Sequence, residues 1–451
     1  MREAYHFALP SSLNSLRSTM KLLRSSLLLA VLFGIDKIFG LGRQVLVGRI
    51  YGVTAALDAY NASNNLPDLV VTLLSGGALA VAFIPLLSEA LNREGRDASW
   101  QLFSRVTNLA FVITAALALI LELFAGPLVR NIVAPGFSPG QQNLTISLMR
   151  LNLIAMLIFC ISGLVMAGLQ THQHFLLPGL APVFYNVGQI VGVMFLSERF
   201  GIFGLAYGVI LGAVLHLGIQ IPGLARHGFR WTPSLDWRHP TMIRVARLMG
   251  PRVLNIAAIQ TIFVTTDNYA SHLYEGAVSA IAFGWLIMQM PQTVIGTAIA
   301  TALLPTLSEL VSRGDSATLK STLRKTIAVL LALTVPVTVL AMILVRPAVR
   351  LVFEGRAFTS AGTDLVVASA LMFLPGIAGH SLVEIAVRTF YARQNAIVPL
   401  VAAALTAALF GGLCFVLVPL MGHSGIALAN TLAFTAEAIG LLWFLRRQDV
   451  L

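Results

Sequence analysis

The sequence predicts an all-α polytopic membrane protein: about 12 transmembrane helices in two parallel six-helix repeats around a central cavity. Three observations predict it. First, of 451 residues 57% are hydrophobic and 11% charged, whereas a soluble domain carries about 25% charged residues. So few charges cannot solvate a globule of this size, so lipid must be the main solvent. Second, apolar runs of about 20 residues, the length that crosses a bilayer as a helix, recur along the whole chain. Third, one stretch is written twice. GGALAVAFIPLLSEALNREG at 76–95 returns as GTAIATALLPTLSELVSRGD at 296–315, with Gly76, Pro85, Ser88, Glu89 and Arg93 recurring 220 positions later as Gly296, Pro305, Ser308, Glu309 and Arg313.

In chain order, residues 1–24 are polar and basic and read as an N-terminal segment with no cleavable leader, because the apolar run that follows is too long for one. The first half then has spans near 25–50, 58–90, 101–127, 143–169, 178–197 and 202–222. The stretch 223–242, rich in Arg and containing His, is the longest polar break and serves as the linker. The second half has spans near 243–270, 277–310, 325–346, 362–390, 396–418 and 425–445, giving an N-lobe at 25–222 and a C-lobe at 243–447. Gly34, Gly40 and Gly42 loosen the first span. Asn61, Asn64, Asn65 and Pro67 interrupt the second, and such breaks are tolerated only where the freed backbone faces protein or a cavity.

The repeat extends further. GPLVRNIV at 126–133 returns as RPAVRLVF at 346–353, and GLQTHQHFLLP at 168–178 as TFYARQNAIVP at 389–399. Six spans per copy is even, so both copies start on the same side of the membrane and are related by an axis along its normal. With the N-terminus inside, the inner segments hold about 20 Lys and Arg and the outer ones about six, which predicts both termini in the cytoplasm. The net charge of +11 therefore marks cytoplasmic loops rather than nucleic-acid binding. Cys160 and Cys414 lie in apolar runs without metal-ligand spacing, so neither a disulfide framework nor a metal site is expected. No P-loop, HExxH or GxSxG is present, which predicts a transporter rather than an enzyme, with no cofactor beyond a coupling Na+ or H+.

An ionisable side chain in mid-membrane is costly unless it is paired or wet, so each one is informative. Span 1 has Asp36, Lys37 and Arg43 among its glycines. A Lys and an Arg on a cleft-facing helix suit a phosphate or pyrophosphate, Arg as a planar fork of donors and Lys as a point charge. The competing reading is a static ion pair with Asp36 or Asp58. Asn61, Asn64 and Asn65 either line a cavity, with Asp68 beyond them, or hydrogen-bond between helices. Asp267 and Glu437 are candidates for ion coupling, or else are solvated at an interface. Span 10 carries Glu384 and Arg388.

These motifs carry a resemblance. FGLGRQVLVGRIYG (39–52), LDAYNASNNLPDL (57–69), the 76–95 stretch, APGF (134–137), the second-copy ALLPTLSEL and FYARQNAIVP (390–399) are similar in content and order to the MurJ/MviN lipid II flippases. That family belongs to the multidrug/oligosaccharidyl-lipid/polysaccharide exporter superfamily. The resemblance implies two lobes around a cavity that opens alternately to either side of the bacterial inner membrane. The pyrophosphate-sugar head of an undecaprenyl-linked cell-wall precursor would pass through it while the lipid tail stays among membrane lipids. Cell-wall synthesis proteins are implied partners. Lys37 and Arg43 would hold the pyrophosphate, and Asp58, Asn61, Asn65 and Asp68 would complete the site. At positions where the family carries further cavity charges, this chain has Val71, Thr72, Gly76 and, in span 8, Trp285 or Leu286. The family's two extra C-terminal helices are not expected here, since the sequence ends at Leu451. Two other functions fit the same scaffold: a cation-coupled exporter of small amphiphiles using Asp267 or Glu437, and a cell-envelope protein that transports nothing.

Overall fold

A computed structural model describes residues 11–73, 78–236, 238 and 240–451, and all regular structure among them is helical. Residues 1–10 and Gly76 lie outside the described residues. The N-lobe comprises α1 (Ser11–Tyr51), α2 (Ala55–Val71), α3 (Ala78–Arg93), α4 (Arg96–Leu128), α5 (Pro139–Thr171), α6 (Leu176–Val191), α7 (Ser197–Phe200), α8 (Phe203–Gly218) and α9 (Ile221–Arg226). The C-lobe comprises α10 (Pro240–Ser271), α11 (Ala277–Gln292), α12 (Ala298–Arg313), α13 (Ser316–Phe353), α14 (Ser360–Phe373), α15 (Gly376–Ala392), α16 (Ile397–Met421) and α17 (His423–Arg447). Among the described residues, 11–24 of the expected terminal segment continue into span 1 as one helix. With no proline between Ser11 and Tyr51, nothing stops α1 from running back into that segment.

The two lobes correspond in sequence, element by element. α3 and α12 have matching bounds 220 residues apart, and each ends in an i,i+4 ion pair: Glu89 with Arg93 at 3.0 Å, and Glu309 with Arg313 at 2.5 Å. α2 with α3 matches α11 with α12, the latter joined through a π-turn at Thr293–Thr297. Single α5 answers to the pair α14 and α15, bent by 46° at Leu374–Pro375. Among the described residues, eight helices are long and apolar enough to cross a membrane, or nine if that bent pair is one span. The twelve expected are therefore not all reached by length and composition alone. α1, the α2–α3 pair and α10 are not among the helices that meet this test, and α1 carries Asp36, Lys37 and Arg43 in its apolar part.

Local signals set the ends. The Thr54, Ser138, Asp315 and Thr359 side chains each accept an N–H three residues ahead, capping α2, α5, α13 and α14, and Pro139 follows its cap at the first helical position. Within the N-lobe α5 packs on α2, α4 and α8, and α6 packs on α8. Within the C-lobe α17 packs on α14, α15 and α16.

The apolar cores differ at the two ends of the bundle. At the end carrying Tyr51, a single core draws on both lobes, from Val47 and Leu57 to Phe283, Phe353 and Phe358. At the opposite end each lobe has its own core. One is built on Phe83, Trp100 and Phe103, with Met242 and Val245 from the start of α10. The other is built on Leu307, Phe390 and Leu441. The lobes are thus fused at one end, while at the other each has its own core and the start of α10 reaches into that of the N-lobe, with Arg244 paired to Glu89 at 3.1 Å.

Candidate substrate cavity

At the fused end the lobes touch backbone to backbone. Gly52 (φ +66°) lies so close to the Ala357 carbonyl that a Cβ would collide with it, and Gly136 is equally close to Ser271 and His272. Arg49 donates to the Val352 carbonyl at 3.0 Å, and Ala357 N–H donates to the Arg49 carbonyl at 3.1 Å. Asp58 sits at the centre, fully buried. It accepts from Gly276 N–H at 2.6 Å, from Ser279 N–H at 2.7 Å and from Ser279 Oγ at 2.6 Å. An N-lobe carboxylate therefore caps the first turn of a C-lobe helix, where free N–H groups and the helix dipole favour negative charge.

Behind this closure lies a cavity of about 350 Å³ lined by both lobes. α1 contributes Arg43 and Gln44, α2 its polar face, α5 Asn152, α6 Tyr185 and Gln189, α10 Asp267, α11 Trp285 and α17 Asn430. Asn61, Asn65 and Asp68 stand at i, i+4 and i+7 of α2, which places them on one helical face, and all three line the cavity. Asn65 Nδ2 donates to Asp267 Oδ2 at 2.5 Å, and Asn61 Nδ2 to Ser279 Oγ at 3.4 Å, so this face also bridges the lobes. Asn152 Nδ2 donates to Asn64 Oδ1 at 2.8 Å. Asn152 Oδ1 is buried at the wall without a hydrogen-bond partner among the described residues.

Arg43 is the basic side chain of the lining, and no ion pair engages it among the described residues. Asp36 is held by Asn186 Nδ2 at 2.9 Å and Asp58 by α11, while the Asp68 carboxylate shares the lining with Arg43 and interacts with it electrostatically without a salt bridge. The static ion pair that the sequence allows is therefore absent.

Three sequence candidates lie outside this lining. Lys37 is exposed beside Ile38 and Phe39, away from the cavity. Six residues along a helix turn a side chain by about 120° from the starting face, so Lys37 and Arg43 cannot both face inward from regular α1. Asp58 reaches across to α11 instead of into the cavity, and its role in this conformation is the closure. Glu437 lines a different cavity inside the C-lobe. Tyr60, Asn152, Tyr185, Gln189 and Asn430 also line the central cavity, and sequence reasoning does not single them out. Isolated polar residues on apolar helices are the available signal, but that signal does not tell a cavity wall from an interhelical contact. Of the positions where the resembling family carries charge, Val71 and Trp285 do line the cavity, and Leu286 packs into the shared core.

The model of the lipid II flippase MurJ family matches residues 47–451. The chain belongs to the MurJ family. Among related sequences, it is 27% identical over 438 residues to the lipid II flippase MurJ of Burkholderia cenocepacia, spanning 96% of this chain and 85% of that one. It is 26% identical over 436 residues to the probable lipid II flippase MurJ of Buchnera aphidicola subsp. Schizaphis graminum, with the same coverage. In fold it is similar to a lipid II flippase MurJ in an inward closed conformation, with TM-score 0.81 and 23% identity over 94% of this chain and 89% of that one. It is also similar to an inward-facing multidrug resistance MATE family transporter of the MOP superfamily, with TM-score 0.77 and 13% identity over 92% of this chain and 94% of the other. Relative to the MurJ motif pattern, this MurJ-family cavity is sparing in positive charge, which concentrates on Arg43.

Proposed function

We propose that this protein is a flippase that carries lipid II across the cytoplasmic membrane by alternating access, and that it catalyses no covalent step. The observation that carries the reading is Arg43. It is a guanidinium at membrane depth without a salt-bridge partner, in a cavity walled by both lobes of a MurJ-family fold. Arg43 is half-buried and the Asp68 carboxylate in the same lining answers part of its charge, and a pyrophosphate suits the donors that remain in its planar fork. Asn61, Asn65 and Asn152 offer amide donors and acceptors to sugar hydroxyls, and Asp68 an acceptor. The lipid tail stays in the bilayer. The excess of Lys and Arg at the Glu89 and Glu309 end supports a cytoplasmic position for that end and for both termini. The closed Tyr51 end is then the outer one, and the head group enters from inside.

In this reading the outer end opens when Asp58 leaves the Gly276 and Ser279 donors. The same rocking parts Asn65 from Asp267, so a ligand that competes for Asn65 favours the movement. Na+ or H+ coupling would act through Asp267, which sits on that bond, or through Glu437. Cell-wall synthesis proteins that consume lipid II would be its partners on the outer face.

The test is a flipping assay in proteoliposomes with labelled lipid II, alongside rescue of a strain depleted of its own lipid II flippase. Transport and rescue by the wild type, both lost on Arg43→Ala, are expected. A wild-type protein that moves no lipid II and rescues nothing would sink the proposal. Na+- or H+-dependent efflux of small amphiphiles in its place would favour the cation-coupled exporter.

A further inference from the structure

The C-lobe encloses a second cavity, of about 510 Å³, between α10, α11, α15, α16 and α17. It shares Ile262, Phe263, Trp285 and Asn430 with the central cavity, so the two adjoin along this wall. Its wall is mostly apolar but holds Gln292, Glu384, Arg388 and Glu437, and such groups persist in a membrane interior when they face each other or a wet, ligand-bearing space. Glu384 Oε1 accepts from Gln292 Nε2 at 3.0 Å and from Thr297 Oγ1 at 2.6 Å. Arg388 lies 3.1 Å from Glu384 Oε2 and donates to the Thr297 carbonyl and to Thr301 Oγ1, at 3.2 and 2.6 Å. The pair is not sealed: 22% of the Arg388 side chain and 27% of that of Glu384 remain exposed. Glu437 adds a second carboxylate to the lining, and no cation pairs with it among the described residues.

Size and charge together say what this space is for. A cavity of about 350 Å³ is at the low end of the roughly 300–1,000 Å³ that encloses a drug-sized ligand. A pyrophosphate bearing sugars and a peptide is larger than such a ligand and needs the adjoining space. The central cavity answers phosphate with Arg43. The C-lobe cavity instead offers one guanidinium and two carboxylates in its lining, a set complementary to a chain that carries both carboxylates and an amine. We infer that the C-lobe cavity is the subsite for the peptide portion of the head group, with Arg388 receiving a peptide carboxylate and Glu384 and Glu437 receiving its ammonium. This inference rests on the flippase reading above.

The experiment compares two labelled undecaprenyl-pyrophosphate disaccharides, one with its peptide and one without, in the same proteoliposomes. The wild type is expected to prefer the peptide-bearing lipid. In Arg388→Gln and in Glu437→Gln that preference is expected to fall about tenfold, the loss of one charge-assisted contact. Arg388 is tied into the lobe and its variant could fail to fold. Glu437→Gln disturbs no ion pair and carries the test alone in that case. A wild type that moves both lipids without preference, or a preference unchanged in the variants, overturns this inference and leaves the flippase reading standing. A wild type that moves neither overturns both.

Discussion

The two lobes are copies in sequence and opposites in packing. In the N-lobe, α6 crosses α8 through glycines. A Cβ on Gly188 would strike the Gly212 backbone, and one on Gly192 the Gly208 backbone. Their C-lobe counterparts, α16 and α17, touch this closely at Gly425, while Gly411 and Gly412 of α16 face open space. The N-lobe lines its boundary with the C-lobe with polar groups around Arg43 and fills its own interior with a bonded Ser162, His216 and Gln220 cluster, whereas the C-lobe has a cavity inside its own helices. Duplication fixed the order of the helices. What diverged is where each copy lets helices approach, and so where it leaves room.

The largest effect expected from breaking this contrast is at the glycine crossing. Gly188→Val has no room against α8, and overpacking costs about 1–3 kcal/mol or more. A fall in thermal midpoint of the purified protein by several degrees, or loss of the folded protein, is expected, while Gly412→Val leaves the midpoint unchanged. Equal effects at both sites would remove the contrast.

Next comes the boundary itself. Arg43→Ala removes a charge-assisted contact worth about 1.5–3 kcal/mol, which is about 10- to 100-fold in lipid II transport. Lys37→Ala, on the outer side of α1, is expected to stay within about twofold, as surface substitutions do. A Lys37 variant as damaged as the Arg43 variant would place Lys37 back in the site.

Asp58→Asn should act on closure rather than on substrate. It keeps an acceptor for the α11 donors and removes the charge that strengthens them. The pair Val53→Cys and Gly362→Cys reports on this, because a Cβ on Gly362 would lie 3.4 Å from that of Val53, close to disulfide spacing. Cross-linking across this closed end should be efficient with Asp58 intact and measurably slower once Asp58→Asn is added. An unchanged rate would mean that the backbone contacts at Gly52 and Gly136 hold the end shut alone.

The smallest expected effect distinguishes the two copies at one cap. α13 is capped by the exposed side chain of Asp315, whose counterpart before α4 is Gly95, with no side chain to offer. The Thr318 N–H and hydroxyl hold the Asp315 carboxyl below its usual 3.8. A depressed pKa gives stability that is present above the unfolded value and lost as pH falls through the folded one. Asp315→Ala should therefore lower the thermal midpoint slightly at neutral pH and make no difference in strong acid. Gly95→Ala has no cap to lose, and its penalty comes instead from its positive φ of 92°.

Much of this architecture is written in the sequence, because a 220-residue repeat and apolar runs of membrane length depend only on local order. The polar face of α2 is equally legible, since Asn61, Asn65 and Asp68 share a helical phase whatever the tertiary structure. The direction of Lys37 is not legible from its charge among glycines; it follows from helical phase once α1 is seen to be regular, which sets Lys37 about 120° from Arg43. The role of Asp58 is not legible in sequence at all: its donors are more than 200 residues away, and only the meeting of the lobes brings them to it. The C-lobe cavity is hidden for the same reason. Glu384 and Arg388 are visible as an i,i+4 pair, but Gln292, Thr297 and Glu437 come to them from other helices.

The Asp58 contact carries one more consequence. When the lobes part there, a carboxylate and three donors that were dry must all find water at once, since no other group among the described residues bonds to that carboxylate. Opening that end is therefore a hydration event as much as a rotation. Its rate should respond to the activity of water outside the membrane, and solutes too large to enter the gap should act as a brake on transport without touching the cavity.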